Sequence, residues 1–269
     1  SDGVGNLSRI RDVAGQGGGA HPVGRCNLRR HLGRVIQVDQ RHIGALLGQR
    51  MGYHLADART DQEHLDAIIF NRPSVPDRTA YILDHTKPSP VPPMIDIAQK
   101  LEALGVCALA TPCVTAHSFH DELQSSVHIP FIHMVRETAA YLKEAGCKKP
   151  GIMATTGTVR MGLFQTALTD AGLSYVLPND EMQQNVMSLI YDCVKAGEPA
   201  DMVKFRAVSD ALRADGCDAI ILGCTELSII KRDNELGPGY LDALEVLARA
   251  CILACGKKLK PKYSSLIQQ

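Results

Sequence analysis

The sequence has no tryptophan, only 4% aromatic residues and a formal net charge of zero. Balanced charge removes the electrostatic footprint of a nucleic-acid binder or of a protein held to an anionic membrane. No window approaches the run of about 18 apolar residues that a membrane-spanning helix needs. The opening residues, SDGVGNLSRI, lack the apolar stretch of a secretory signal. These absences predict a soluble, cytoplasmic protein whose partner is a small molecule, with no nucleic acid and no membrane. Also missing are CxxC pairs and Cys/His clusters with the spacing of structural zinc, so no metal site is expected. The nine cysteines, an odd and scattered set, read as free thiols in a reducing compartment. Lysine is absent before Lys87, and the first 56 residues, rich in Gly and Arg, hold three acidic side chains.

What is present is a core of aliphatic residues, with 45% of the 269 residues hydrophobic. Short apolar runs, LDAIIF, VCALAT, HIPFIHM, PGIMATT, LSYVLP and CDAIILG, read as strands, those flanked by helices being buried on both faces. Between them stand PMIDIAQKLEALG, VRETAAYLKEAG, VRMGLFQTALTDAG, NDEMQQNVMSLIYDCVKAG and ADMVKFRAVSDALRADG, with helical spacing and several glycine stops. The last helix is expected over YLDALEVLARACILAC. Such alternation predicts an α/β fold with largely parallel sheets. Near the N-terminus, QGGGAHPVG reads as a loop, and HIGALLGQRMG, residues 42–52, as a strand running into a glycine turn.

Two segments echo each other. LEALGVCALATPC and LRADGCDAIILGC share a frame: Leu101 and Leu212, then Gly105 and Gly216, then Cys113 and Cys224. Each reads as a helix end, a glycine turn, a buried strand and a cysteine at the strand's C-terminal tip, where ligands of parallel α/β sheets sit. The residues that follow can start helices, whose N-terminal ends favour thiolate. Thr115 and Thr225 add hydroxyl groups beside the sulfurs, and His117 and Glu226 are candidate orienting or proton-handling groups. Cys107, Cys193, Cys217, Cys251 and Cys255 are expected to be core residues, since cysteine is among the most buried residue types.

Two thiols facing each other across a cleft suit one reaction especially well. One, as thiolate, removes a proton from carbon, and the other returns a proton on the opposite face, inverting a stereocentre. The adjacent carboxylate then needs a cationic clamp. Arg78, in RPSVPDRT, is the leading candidate; Lys195 in DCVKAG and the ATTGT loop from Ala154 to Thr158 are candidates for the substrate's other polar groups.

TPCVTAH and ILGCTEL, with SVPDRTAYIL, IMATTGTVRMGLFQTAL and PNDEMQQNVMSLIYDCVKAG in order, resemble the cofactor-independent aspartate/glutamate racemase superfamily, particularly its aspartate racemase branch. The resemblance implies two pseudo-symmetric, Rossmann-like α/β domains with parallel sheets and an active site in the cleft between them. It implies an isomerase that racemises a small dicarboxylic amino acid, aspartate and/or glutamate, without pyridoxal phosphate, metal or other cofactor, in a homodimer. Cys113 and Cys224 then match the two acid/base residues, Arg78 and Lys195 the positions that bind substrate carboxylates, and Thr115, Thr158 and Thr225 the hydroxyl positions of the pocket. The expected division is an atypical segment 1–41, a first domain of residues 42–130 plus 241–269, and a second of residues 131–240. Two features depart from that pattern: Val114 stands where the family's first motif has Asn, and no clear copy of its opening strand and GGMGP-like loop precedes Asp57, residues 42–52 being the nearest stand-in. Hydantoin racemases use a similar cysteine pair, and a catalytically silent binder of small carboxylates keeps the same pocket; these are the alternatives.

Overall fold

The computed structural model describes residues 34–39, 55–58 and 63–267, the side chains of 34–39 and Lys262 apart. Two parallel sheets carry the fold. The first contains β1 (Arg34–Asp39), β2 (Asp66–Asn71), β3 (Ala108–Ala110) and β4 (Phe131–Ile132) in the order β2-β1-β3-β4. The second contains β5 (Gly151–Ala154), β6 (Ile220–Gly223) and β7 (Tyr240–Asp242) in that order. Every pairing in both is parallel, as the alternation of strands and helices predicts.

The connections are helical. Helices α1 (Arg78–Leu83) and α2 (Val91–Ala103) join β2 to β3, and a 3-10 helix (Val114–Phe119) with α3 (His120–Ser125) joins β3 to β4. Helix α4 (Met134–Glu144) crosses to the second sheet. There α5 (Thr156–Arg160), α6 (Leu163–Asp170), α7 (Asp180–Ser188) and α8 (Met202–Ala214) link β5 to β6, and α9 (Thr225–Asp233) leads to β7. Helix α10 (Ala243–Ala254) packs against strands of both sheets, and a short 3-10 helix, Pro261–Tyr263, follows it. A single apolar cluster includes Ala110 of β3, Ile152 of β5, Ile221 of β6 and Leu247 of α10. Burying these together ties the two sheets to one another, since apolar burial contributes about 25 cal/mol per Å².

The echoed segments adopt matching local structure. Helices α2 and α8 end just before Gly105 (φ 78°) and Gly216 (φ 83°), a backbone conformation that a Cβ disfavours. β3, β5, β6 and β7 are buried throughout. β2 is not: it forms the sheet edge, and Ile69 is 44% exposed.

Several elements differ from the expectation. A strand stands at Arg34–Asp39, inside the segment 1–41 that composition marks as irregular. Its β-branched Val35, Ile36 and Val38 suit a strand, and it fills the position between β2 and β3, with Ile36 opposite both Ile68 and Leu109. Residues 42–52, the expected strand and turn, lie outside the described residues. LSYVLP supplies only an isolated bridge, Val176 with Gly151. Tyr240–Asp242 is a strand instead of the first turn of the last helix, because Tyr240 and Leu241 pair with Ile220 and Ile221. The helix starts after Asp242, whose carboxylate accepts from Leu244 N–H at 2.9 Å. The helix expected over residues 159–172 breaks at Gly162 (φ 64°). Sheet membership changes after Ile132, and Tyr240–Asp242 is the last strand of the second sheet. Among the described residues, no helix is long and apolar enough to cross a membrane.

Candidate active site

β3 and β6 end at Ala110 and Gly223; Cys224 follows directly, and Cys113 after Thr111 and Pro112. Cys113 (φ −82°, ψ 109°) and Cys224 (φ −149°, ψ 146°) keep extended backbone and each precedes a helix, the 3-10 helix at Val114 and α9. Neither side chain caps its helix. Both line one cleft and both stay partly exposed to it. The strand tip at Cys224 is tightly packed: a Cβ on Gly223 would stand 2.6 Å from Phe164 Cε2 and 3.0 Å from the Met153 carbonyl oxygen.

The two sulfurs have different neighbours. The Cys224 thiol donates to Glu226 Oε2 at 2.8 Å, and Thr225 Oγ1 donates to the same oxygen at 3.0 Å. Burial, then the Glu226 carboxylate, then Cys113 push the Cys224 thiol well above its ordinary range. Cys113 instead stands beside Arg78. That guanidinium is 7% exposed and donates to the backbone carbonyls of Pro76 at 2.9 Å and Val75 at 3.4 Å. Burial works against its charge, but Cys113 and Asp77 outweigh this and raise its pKa.

Asp77 serves two ends. Its Oδ1 accepts from Ala80 N–H at 2.8 Å and so caps α1, while its Oδ2 lies 3.6 Å from Lys195 Nζ. Lys195 follows a π-helical turn, Leu189–Val194, where the sequence predicts an unbroken α-helix. Such turns insert one residue and re-aim those around them. Here the ammonium sits 4.1 Å from the Tyr191 ring centroid. Partial burial opposes its charge, but Glu226, Tyr191, Cys224 and Asp77 raise its pKa overall.

A set of threonine hydroxyls backs the Cys113 loop. Thr115, Thr155 and Thr158 stand 3.2, 3.0 and 3.1 Å apart, and Thr79 reaches Thr155 at 3.4 Å. Thr115, Thr155 and Thr79 line the cleft; Thr158, fully buried, lies behind and holds the other two. Gly157 permits this approach, because a Cβ there would meet Thr79 at 3.0 Å.

Cys113, Cys224, Arg78, Thr115, Lys195, Thr225 and Glu226 thus meet at the cleft, and Val114 joins its wall as a buried apolar residue. His117 turns away. It is 3% exposed, contacts the Thr111 carbonyl through Nε2 at 3.3 Å, and packs against His133, His120 and Phe131. Sequence reasoning missed Arg72, Asp77, Thr79 and Tyr191, all in the lining, where Thr155 of the candidate ATTGT loop also stands. Asp77 and Thr79 flank Arg78 and Tyr191 precedes Lys195 by one helical turn, so neighbours of the chosen cations held the available signal. Among the described residues, no group of three or more His, Cys, Asp or Glu is arranged to hold a metal ion.

The Asp/Glu/Hydantoin racemase family model matches residues 53–251. The chain is 30% identical over 162 residues to a broad specificity amino-acid racemase, RacX, of Bacillus subtilis (strain 168), an alignment covering 59% of this chain and 69% of that one. Among solved structures, the Picrophilus torridus aspartate racemase superposes with a TM-score of 0.72 at 27% identity, covering 86% of this chain and 98% of the other. An aspartate racemase homologue from Pyrococcus horikoshii OT3 shares the fold, with a TM-score of 0.66 at 20% identity and coverage of 84% and 100%. With parallel sheets, a cysteine-lined cleft and a family match over most of its length, the chain belongs to the Asp/Glu/hydantoin racemase family, a family of isomerases.

Proposed function

We propose that this protein racemises aspartate and/or glutamate by moving a proton between two cysteines across the substrate Cα. The carrying observation is that Cys113 and Cys224 line one cleft with unlike partners, Arg78 beside the first and Glu226 beside the second. The cycle begins with Cys113, beside the Arg78 guanidinium, as the base and with Cys224, its proton held toward Glu226, as the acid. Cys113 Sγ takes the Cα proton and the C–H electron pair stays on carbon. The carbanion then takes the Cys224 proton on its other face, and the two cysteines end with exchanged protonation states.

The developing charge spreads into the substrate's α-carboxylate, which Arg78 clamps, while Thr115 and Thr225 donate from the two helix starts. Lys195, with Asp77 and Glu226, completes the polar wall around the reacting end, and Thr158 acts through Thr115. The two sheets serve as the two pseudo-symmetric halves, each contributing one cysteine. The assignment of acidic amino acids draws on the aspartate racemase of P. torridus.

Proton NMR in deuterated water tests this, with L-aspartate and L-glutamate supplied separately, metal chelator present and no cofactor added. Loss of the Cα proton signal together with appearance of the D-enantiomer is expected. A folded sample that binds either amino acid without exchanging its Cα proton would sink the proposal in favour of a silent binder.

A further inference from the structure

The two cleft cysteines are carried by unlike lengths of chain. Cys224 directly follows β6, and its carbonyl accepts from Leu227 and Ser228 N–H at 3.0 and 3.2 Å, so strand and helix fix it from both sides. Cys113 stands beyond the end of β3, and Thr111 to Ala116 line the cleft as consecutive residues. Its side chain does not cap the 3-10 helix that follows. Such a loop needs a hold of its own if Sγ is to keep one place beside Arg78.

His117 supplies that hold. Its Nε2 lies 3.3 Å from the Thr111 carbonyl oxygen. A carbonyl only accepts, so Nε2 carries the ring proton and Nδ1 is bare. Nδ1 is buried without a hydrogen-bond partner among the described residues, and a second proton there would find no acceptor. Burial, then His133 and His120, push the His117 pKa well below its ordinary range, which keeps the ring in this neutral donor form. His133 and Phe131 pack against it, with ring centroids 5.0 and 6.5 Å away, and limit its rotation. The hydrogen bond closes the chain around Cys113. The Thr111 carbonyl lies in the peptide plane that enters Pro112, whose φ is fixed by its own ring. Holding that plane sets where the chain approaches Cys113, and the bond from Ala116 N–H to the Cys113 carbonyl, 3.1 Å, sets where it leaves.

Building on the racemase reading, we infer that His117 is a positioning residue: by donating to the Thr111 carbonyl it fixes the loop that presents Cys113 Sγ to the substrate Cα. It stands behind the residues that line the cleft and acts only through the backbone.

Steady-state racemisation by three variants separates the donor from the bulk of the ring. His117→Leu fills the space without a donor, and His117→Asn carries its amide at the Nδ1 position, short of Thr111. Both are expected to lower kcat about tenfold to a hundredfold, the usual consequence of a displaced reacting group, while KM changes far less. His117→Gln, whose amide nitrogen can stand at the Nε2 position, is expected to keep most of the wild-type kcat. The Asn and Gln pair decides the matter where His117→Leu folds poorly. Hydrogen–deuterium exchange of the peptide covering residues 111–119 reads the loop without turnover; it should quicken in the Leu and Asn variants while the peptide covering 224–228 exchanges as in the wild type. Wild-type kcat in His117→Leu or His117→Asn, or equal losses in all three variants, overturns the assignment. A wild type that racemises neither aspartate nor glutamate removes the racemase reading, and the exchange comparison then decides by itself whether His117 holds the loop.

Discussion

The Cys224 sulfur and the Glu226 carboxylate lie 2.8 Å apart, with the thiol as donor. This contact, set against Arg78 at Cys113, makes the two cysteines chemically unequal in a cleft that is otherwise assembled from matching strand tips.

If each cysteine handles one face of Cα, neither is dispensable. Cys113→Ala and Cys224→Ala should each lower racemisation by about a hundredfold to ten-thousandfold, the range typical of a lost general acid or base. Chiral chromatography of product, with circular dichroism to verify folding, makes the comparison. Near-normal inversion by either variant rules out the two-thiol mechanism.

Glu226→Gln tests the inequality itself. Burial and then the Glu226 charge raise the Cys224 pKa, so a neutral amide should let it fall. A lower pKa means that the acid form of Cys224 is exhausted at lower pH, and the alkaline limb of the kcat/KM profile should move down. The profile of the variant against the wild type is the measurement. A limb that stays in place, or moves up, argues that Glu226 does not govern the thiol.

Gly223→Ala places a methyl group against the ring of buried Phe164 and the Met153 carbonyl. Overpacking of this kind costs about 1–3 kcal/mol, and the displaced segment carries Cys224. Urea unfolding should show the lost stability, and activity should fall with it. An alanine variant as stable as the wild type means that the strand tip has slack that this packing does not provide.

His133 lies 4.4 Å from His120 and 5.0 Å from His117 between ring centroids. Burial, then His120 and Arg136, lower its pKa from 6.5 to about 4, and His117 is displaced in the same direction by burial and its two neighbours. Between those values the unfolded chain binds the proton that the folded chain refuses. Stability from this group is therefore complete above about 6.5 and is lost as pH falls toward about 4. The His133 side chain also caps α4 by accepting from Arg136 N–H, so His133→Asn keeps a capping group. Denaturation midpoints of that variant should decline less than those of the wild type across this window; an equal decline would assign the acid sensitivity to other groups.

Much of the chemistry was legible because it is local. TPCVTAH and ILGCTEL each bring a cysteine, a hydroxyl and a helix start to the end of an apolar run, and a parallel strand puts such an end at the ligand-binding edge whatever its partners are. The glycine stops at Gly105 and Gly216 act within one turn of chain. The directions of side chains were not legible in the same way. His117 stands four residues after Cys113, yet faces His133 and Phe131, which come from the next strand and helix.

The sequence by itself determined the α/β alternation and the two cysteine-bearing tips, because periodicity and turn chemistry act over a few residues. Only the tertiary structure decided that Arg34–Asp39 fills the gap between β2 and β3, that Tyr240–Asp242 joins a sheet, and that Glu226 faces Cys224 while Asp96 is shared by Arg72 and Lys100. Strand pairing is satisfied between segments far apart in the chain, and the balance of charge around a side chain depends on which helices arrive beside it; neither is written in any one stretch of residues.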